Sequence, residues 1–140
     1  MKRILIADDY ASTRDILRIR LEMRGYFCQE VKNGAEALAA IQRRHYDLLI
    51  TDHDMPVMTG LELLTRVAKM PDLQQPPTIF ITGQLHDTLH QAATNAGARA
   101  VLLKPFADYE LMVEVNKILC PRLVQEDISS PDYELSISPT

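Results

Sequence analysis

The sequence is poor in cysteine, has no long apolar run and carries no excess of basic residues. Its 140 residues include two cysteines, Cys28 and Cys120, and their spacing matches neither a zinc motif nor a disulfide framework. No apolar stretch approaches the roughly 20 residues that span a bilayer, and the run Ile4–Ala7 is too short for a signal sequence. The net charge of −4 does not suit a nucleic-acid surface. We therefore expect a cytoplasmic protein that binds neither membranes nor nucleic acids directly.

A glycine-rich phosphate-binding loop is missing as well. The pattern GxxxxGK[ST] does not occur, which disfavours nucleotide binding, and no Ser-His or Cys-His pair indicates a hydrolase. Hydrophobic residues make up 46% of the chain and charged residues 24%, values typical of one globular domain. Four arginines, Arg14, Arg18, Arg20 and Arg24, fall in one stretch. We interpret them as a solvated helix face, with partner docking as the alternative.

Short apolar runs alternate with amphipathic stretches along the chain. The runs predict five strands, at residues 3–7, 26–31, 48–51, 78–81 and 100–103. Predicted helices follow them, at residues 12–24, 34–44, 60–70, 86–95 and 108–119. Such alternation implies a doubly wound α/β fold with a parallel sheet and helices on both faces. Residues 121–140 contain four acids and three prolines but one arginine, so we predict a domain over 1–120 and a flexible acidic tail.

Helix boundaries carry local signals. Side chains that can cap a helix N-terminus are Ser12 with Asp15, Asn33 with Glu36, and Thr59 with Glu62. Gly25 and Gly97 stand where helices often end in a left-handed residue. In the first helix, Ile16, Ile19 and Met23 fall on one face, which predicts an apolar side, with Leu17 and Leu21 beside it.

Polar residues follow four of the predicted strands. They are Asp8 and Asp9 after strand 1, Asp52 after strand 3, Thr82 after strand 4 and Lys104 after strand 5. Taken singly, each is an ordinary turn or helix-capping residue. Because the carboxyl ends of parallel strands face one crevice, we expect all of them to converge there.

The chemistry that such a set can perform is narrow. Three adjacent carboxylates repel one another unless a cation relieves them, and two carboxylates with waters suit Mg²⁺. One ammonium and one hydroxyl beside the metal match phosphoryl transfer, where catalysis consists of positioning and neutralising oxygens. A carboxylate can itself be the nucleophile and form an aspartyl phosphate. The constellation therefore predicts a magnesium-dependent phosphoryl acceptor.

These residues lie in motifs that resemble the receiver domains of two-component response regulators, over about residues 1–120. The motifs are ILIADD at 4–9, DLLITDHDMP at 47–56, MTG at 58–60, IFITG at 79–83 and LLKPF at 102–106. The resemblance implies the flavodoxin-like (βα)5 fold, with a sheet of order 2-1-3-4-5. It also implies that Asp52 is the phosphorylation site and that Asp9, Asp52 and the backbone carbonyl of Asp54 ligate Mg²⁺. Asp8 would act mainly through a metal-bound water.

Further roles follow from the same resemblance. Thr82 would hydrogen-bond the phosphoryl oxygens and act as a switch residue, and Lys104 would pair first with Asp52 and then with the phosphoryl group. The peptide bond before Pro105 would be cis. Val101 stands at the second switch position, where the family usually has an aromatic residue that swings inward when the threonine moves. Because the valine side chain is stiff and short, we expect the conformational change to be transmitted in a different way. Asp54 adds a fourth acid near the site. Gly83 stands where the family usually has a small residue, often alanine.

The resemblance implies a signalling switch and not an enzyme acting on other substrates. A histidine kinase or histidine phosphotransfer protein would supply the phosphoryl group, and a downstream protein would bind the altered domain. The helix at 86–95, strand 5 and the final helix would carry the output and a possible dimer contact. We favour a stand-alone regulator over a receiver cut from a longer chain. The alternative is a haloacid-dehalogenase-like phosphatase using Asp52 and Asp54, but that motif usually follows the first strand and the cap insertion is missing.

Overall fold

A computed structural model of the chain describes residues 1–84 and 87–121. Its strands are β1 (Arg3–Ala7), β2 (Phe27–Val31), β3 (Leu48–Asp52), β4 (Thr78–Thr82) and β5 (Ala100–Leu103). Its helices are α1 (Ala11–Glu22), α2 (Gly34–Arg43), α3 (Gly60–Val67), α4 (Asp87–Asn95) and α5 (Asp108–Leu119). A short 3₁₀ turn, Asp72–Gln74, precedes β4.

The five strands form one parallel sheet in the order β2-β1-β3-β4-β5, which confirms the predicted fold. The register sets Ala7 opposite Thr51 and Asp52 opposite Ile81. Thr82 lies opposite Leu103, the last residue of β5. The carboxyl ends of β1, β3, β4 and β5 therefore meet along one edge of the sheet.

The central strands are buried along their whole length, as expected when helices cover both faces of a sheet. Successive strand residues point to opposite faces. Leu5 and Leu49 are paired between β1 and β3, so they lie on the same face of the sheet. There they pack with Ala37 of α2 and Leu63 of α3. A second cluster joins Phe80 of β4 to residues of α3 and α4. This packing holds the ends of β3 and β4 rigidly in place.

Two of the three predicted capping signals are confirmed. Asn33 accepts from the Glu36 amide, and Thr59 forms a capping box with Glu62. The box predicted for Ser12 and Asp15 is wrong, because the N-cap of α1 is Tyr10, two residues before Ser12, and the helix begins at Ala11. Helix α3 ends at Val67 and not near residue 70. Gly25 and Gly97 have φ of 91° and 110°, as the left-handed helix ends require.

The apolar side predicted for the first helix is wrong for Ile16, Ile19 and Met23 and confirmed for Leu17 and Leu21. Ile16, Ile19 and Met23 are 51%, 50% and 81% exposed, whereas Leu17 and Leu21 are buried. Arg14 lies on the inward side of the helix, with Leu17 and Leu21, because its guanidinium forms an ion pair with Glu30 of β2. Sequence periodicity cannot anticipate this rotation, since the polar partner lies on another element.

The chain divides after Phe106 into two compact units. In the described part of the second, Glu110 accepts from the Ala107 amide at the start of α5, and the buried residues of that helix are Leu111, Met112, Val115 and Leu119. The predicted acidic tail falls almost wholly outside the described residues. Within the described ranges, no helix is long and apolar enough to cross a membrane.

Candidate functional site

Asp52, the last residue of β3, lies at the centre of the site and is buried. The loop after it folds back so closely that a Cβ on Gly60 would lie 2.3 Å from the Asp52 carbonyl oxygen. The Gly60 amide donates to the His53 carbonyl at 3.0 Å, which closes this turn. The glycine that begins α3 therefore sets the backbone position of Asp52.

Three carboxylates meet at the strand ends. One oxygen from each of Asp8, Asp9 and Asp52 lies within 4.8 Å of the others. Burial raises the pKa of Asp8, and the hydrogen bond from the Tyr10 amide opposes that rise only in part. Burial also raises the pKa of Asp52, although the adjacent Lys104 acts to lower it. The cluster thus concentrates negative charge in a poorly solvated place.

Lys104 brings one positive charge to the cluster from the residue after β5. Its Nζ lies 2.9 Å from Asp52 Oδ1 and 3.8 Å from Asp8 Oδ2. Burial acts to lower the pKa of Lys104, but the neighbouring Asp52 carboxylate outweighs it and the pKa is raised, so the ammonium stays charged. The Lys104 amide donates to the Thr82 carbonyl, and the Lys104–Pro105 peptide bond is cis.

One ammonium does not satisfy the carboxylates. Oδ1 of Asp52 has the Lys104 ammonium at 2.9 Å, but Oδ1 of Asp9 is buried and has no hydrogen-bond partner. A buried, unpartnered anionic oxygen is costly unless a cation binds it. Hard oxygen donors from three carboxylates fit a divalent cation such as Mg²⁺.

Thr82, the last residue of β4, is buried, and its hydroxyl oxygen accepts from the Gln84 amide at 3.0 Å. The Gln84 side chain then reaches back to Asp54, donating from Nε2 to Oδ1 at 3.0 Å. The charge of Asp54 acts on the centre, since it contributes to the raised pKa values of Asp52 and Lys104. Sequence reasoning identified Thr82 and Asp54 but missed Gln84, which no motif singles out.

Val101 packs against the hydrophobic cluster around Phe80, the residue with which it pairs between β4 and β5. The same Phe80 ring lies 5.5 Å from the ring of His53, the residue after Asp52. Val101 is thus joined to the acceptor loop through one aromatic side chain.

Arg14 is a second residue that sequence reasoning missed. Its Nη1 donates to the Asp8 carbonyl at 2.6 Å, and its Nε donates to Glu30 Oε1 at 3.1 Å. The side chain is only 13% exposed, so the interpretation of the arginines as a solvated face is wrong for this member. The acid at the end of strand 2, Glu30, was the available signal for a buried cation.

Comparison with known proteins identifies the family. The family model of the response regulator receiver domain matches residues 4–116, and the chain belongs to this family. It is 38% identical over 120 residues to the response regulator receiver protein CpdR of Brucella abortus, covering 85% of this chain and 98% of that one. It is 33% identical to the phosphate regulon transcriptional regulatory protein PhoB of Pseudomonas aeruginosa, covering 84% of this chain but only 52% of that relative.

A solved structure supports the same assignment. The response regulator TrrA of Thermotoga maritima, in complex with Mg²⁺ and BeF, superimposes with a TM-score of 0.74 at 32% identity, covering 84% of this chain and 99% of that one. The chain is therefore a receiver domain of two-component signalling. Domains of this class act as signalling switches and not as metabolic enzymes.

Proposed function

We propose that this receiver domain is a Mg²⁺-dependent switch that accepts a phosphoryl group on Asp52. The observation that carries the proposal is the cluster of three carboxylates with one ammonium, Lys104, in which a buried oxygen of Asp9 has no partner. The ion pair between Lys104 and Asp52 leaves that buried oxygen of Asp9 without a partner, and a bound cation would supply one. The TrrA complex with Mg²⁺ and BeF supports the same use of a related site.

Three protein groups would hold the metal directly: the carboxylates of Asp9 and Asp52 and the backbone carbonyl of Asp54. Asp8, which already accepts a hydrogen bond from the Tyr10 amide, would act mainly through a water. When bound, Mg²⁺ supplies charge neutralisation to the cluster and to the phosphoryl oxygens. Lys104 supplies the remaining positive charge.

The reaction forms one bond to phosphorus and breaks another. A carboxylate oxygen of Asp52 attacks the phosphorus of a phosphohistidine or a small acyl phosphate. The bond between phosphorus and the donor atom breaks, and the donor leaves with the electron pair. Lys104 stabilises the phosphoryl oxygens, and the Thr82 hydroxyl donates a hydrogen bond to one of them.

The change at Thr82 would pass to the loop at 82–87, of which Leu85 and His86 lie outside the described residues, and on to α4 and β5. Because Val101 is short and already packed near Phe80, we expect this loop to carry more of the change than an inward swing at residue 101. The proposal includes a kinase or phosphotransfer protein as donor and a downstream protein as target. It places the switch in residues 1–120 and the protein in the cytoplasm. The proposal also includes self-association of the protein through the region of α4, β5 and α5.

The proposal is tested by incubating the protein with Mg²⁺ and acetyl phosphate and measuring intact mass. We expect one phosphoryl group on the wild type and none on Asp52→Asn, because an amide is not a nucleophile for phosphorus. Asp15→Asn, at an exposed aspartate of α1, is the matched control and should label normally. Equal labelling of Asp52→Asn and wild type would overturn the assignment.

A further inference from the structure

A side-chain hydrogen bond joins the loops that follow β3 and β4. Gln84 Nε2, in the loop after β4, donates to Asp54 Oδ1, in the loop after β3, at 3.0 Å. The two residues are 30 positions apart in sequence, so the contact exists only in the folded molecule. It joins the loop that directly follows the acceptor residue to the loop after the neighbouring strand.

Gln84 also holds the side chain proposed to move. Its backbone amide donates to the Thr82 hydroxyl oxygen at 3.0 Å. The same residue therefore restrains Thr82 through its main chain and is itself restrained by Asp54 through its side chain. Thr82 is buried, and the amide of Gln84 is the partner of its oxygen in this arrangement.

We propose that Gln84 and Asp54 form a latch that holds Thr82 in its resting position and opposes the phosphorylated state. This inference rests on the proposed function. When the Thr82 hydroxyl turns to a phosphoryl oxygen, its bond with the Gln84 amide must lengthen or break. The bond to Asp54 keeps Gln84 at its resting place, so the loop cannot follow Thr82 until the latch opens. Gln84 is a positioning residue, because it acts through Thr82 and touches none of the reacting atoms.

The latch gives Asp54 a second role, separate from its charge. Its negative charge adds to the rise in the pKa of Asp52 that burial mainly causes and would disfavour a further anion. Its Oδ1 is also the acceptor that anchors Gln84. Substitutions separate the two roles, since Asp54→Asn removes the charge and keeps an acceptor oxygen, whereas Asp54→Ala removes both.

The test is a double-mutant cycle on the affinity for beryllofluoride, a phosphoryl mimic, at fixed Mg²⁺, followed by NMR or calorimetry. We expect Gln84→Ala to bind beryllofluoride about 3- to 5-fold tighter than wild type, the scale of one exposed hydrogen bond to a charged group. The effect of Gln84→Ala should persist in the Asp54→Asn background and vanish in the Asp54→Ala background. Gln91→Ala, which removes a comparable bond from Nε2 to Asn95 Oδ1 on α4, should change nothing.

A second measurement tests the latch without any phosphoryl ligand. Hydrogen exchange of the residue 84 amide should be faster in Asp54→Ala than in wild type and close to wild type in Asp54→Asn. Unchanged exchange in Asp54→Ala, or an effect of Gln84→Ala that is equal in all three Asp54 backgrounds, would overturn the latch. Failure of the proposed function would look different, since the wild type itself would neither bind beryllofluoride nor accept a phosphoryl group from acetyl phosphate.

Discussion

At the scale of single residues, the site gives up folding stability to hold its charges. Asp8 and Asp52 are each about 3% exposed, and burial raises the pKa of both carboxyls. A raised pKa means that the folded protein holds the proton more tightly than the unfolded chain does. Protonation of these two carboxyls therefore favours the folded state. This stabilisation is fully present below the ordinary aspartate pKa and is lost as pH rises through the pKa values of the folded protein.

Removing one charge should therefore stabilise the metal-free fold at neutral pH. We expect Asp8→Asn, in EDTA at pH 7, to raise the free energy of unfolding by about 1 kcal/mol. The asparagine oxygen can still accept from the Tyr10 amide. The gain should shrink as pH falls towards the ordinary aspartate pKa, because the wild-type carboxyl becomes protonated. Thermal denaturation over a pH series measures this, with Asp15→Asn as control, and a loss of stability at pH 7 would contradict it.

Arg14 should matter to the metal although it is not a ligand. It holds the Asp8 carbonyl, and so the turn that presents Asp8 and Asp9. We expect Arg14→Ala to weaken Mg²⁺ binding several-fold and to cost about 2 kcal/mol of stability, as for a buried hydrogen bond to a charged group. Arg18→Ala is the matched control, because Arg18 also pairs with Glu30, at 2.6 Å, but does not hold Asp8. NMR titration measures the Mg²⁺ affinity of both variants. Equal losses of affinity would contradict the prediction, because they would show that the ion pair with Glu30, and not the bond to the Asp8 carbonyl, affects the metal.

At the scale of elements, the start of α3 positions the acceptor. A Cβ on Gly60 would collide with the backbone of Asp52 and His53, and backbone atoms cannot move aside as a side chain can. We expect Gly60→Ala to destabilise the domain by about 3 kcal/mol or more and to impair phosphorylation. Gly83→Ala should be tolerated in both respects, since a Cβ there meets nothing within 4 Å. Chemical denaturation and acetyl phosphate labelling of both variants decide it, and a fully stable Gly60→Ala would refute the account.

At the scale of the whole molecule, the metal and the fold should be thermodynamically linked. If Mg²⁺ binds only the folded carboxylate cluster, it stabilises the domain by about 2.7 kcal/mol at a concentration 100 times its Kd. We expect a rise in Tm with Mg²⁺ in the wild type and almost none in Asp9→Ala, which loses a proposed direct ligand. Asp87→Ala, outside the cluster at the start of α4, should respond as the wild type does. An undiminished rise in Asp9→Ala would rule out Asp9 as a ligand.

The sequence by itself determined the sheet and the convergence of its polar residues. Continuous apolar runs separated by amphipathic stretches can bury both strand faces only in a parallel sheet covered by helices, and such a sheet brings Asp8, Asp52 and Lys104 to one edge. The capping patterns at Asn33 and Thr59 correctly predicted where α2 and α3 begin, because each capping residue and its partner lie only three residues apart.

Only the tertiary structure decided which way α1 faces and which side chains restrain the site. The inward turn of Arg14 depends on an acid of β2 and a carbonyl of the loop after β1, and the bond from Gln84 to Asp54 spans 30 positions. Neither contact leaves a periodic signal in the sequence, and the acid Glu30 in β2 does not by itself say which cation pairs with it. Each exists because packing brings two distant segments within hydrogen-bond range, where burial and charge then favour the pairing.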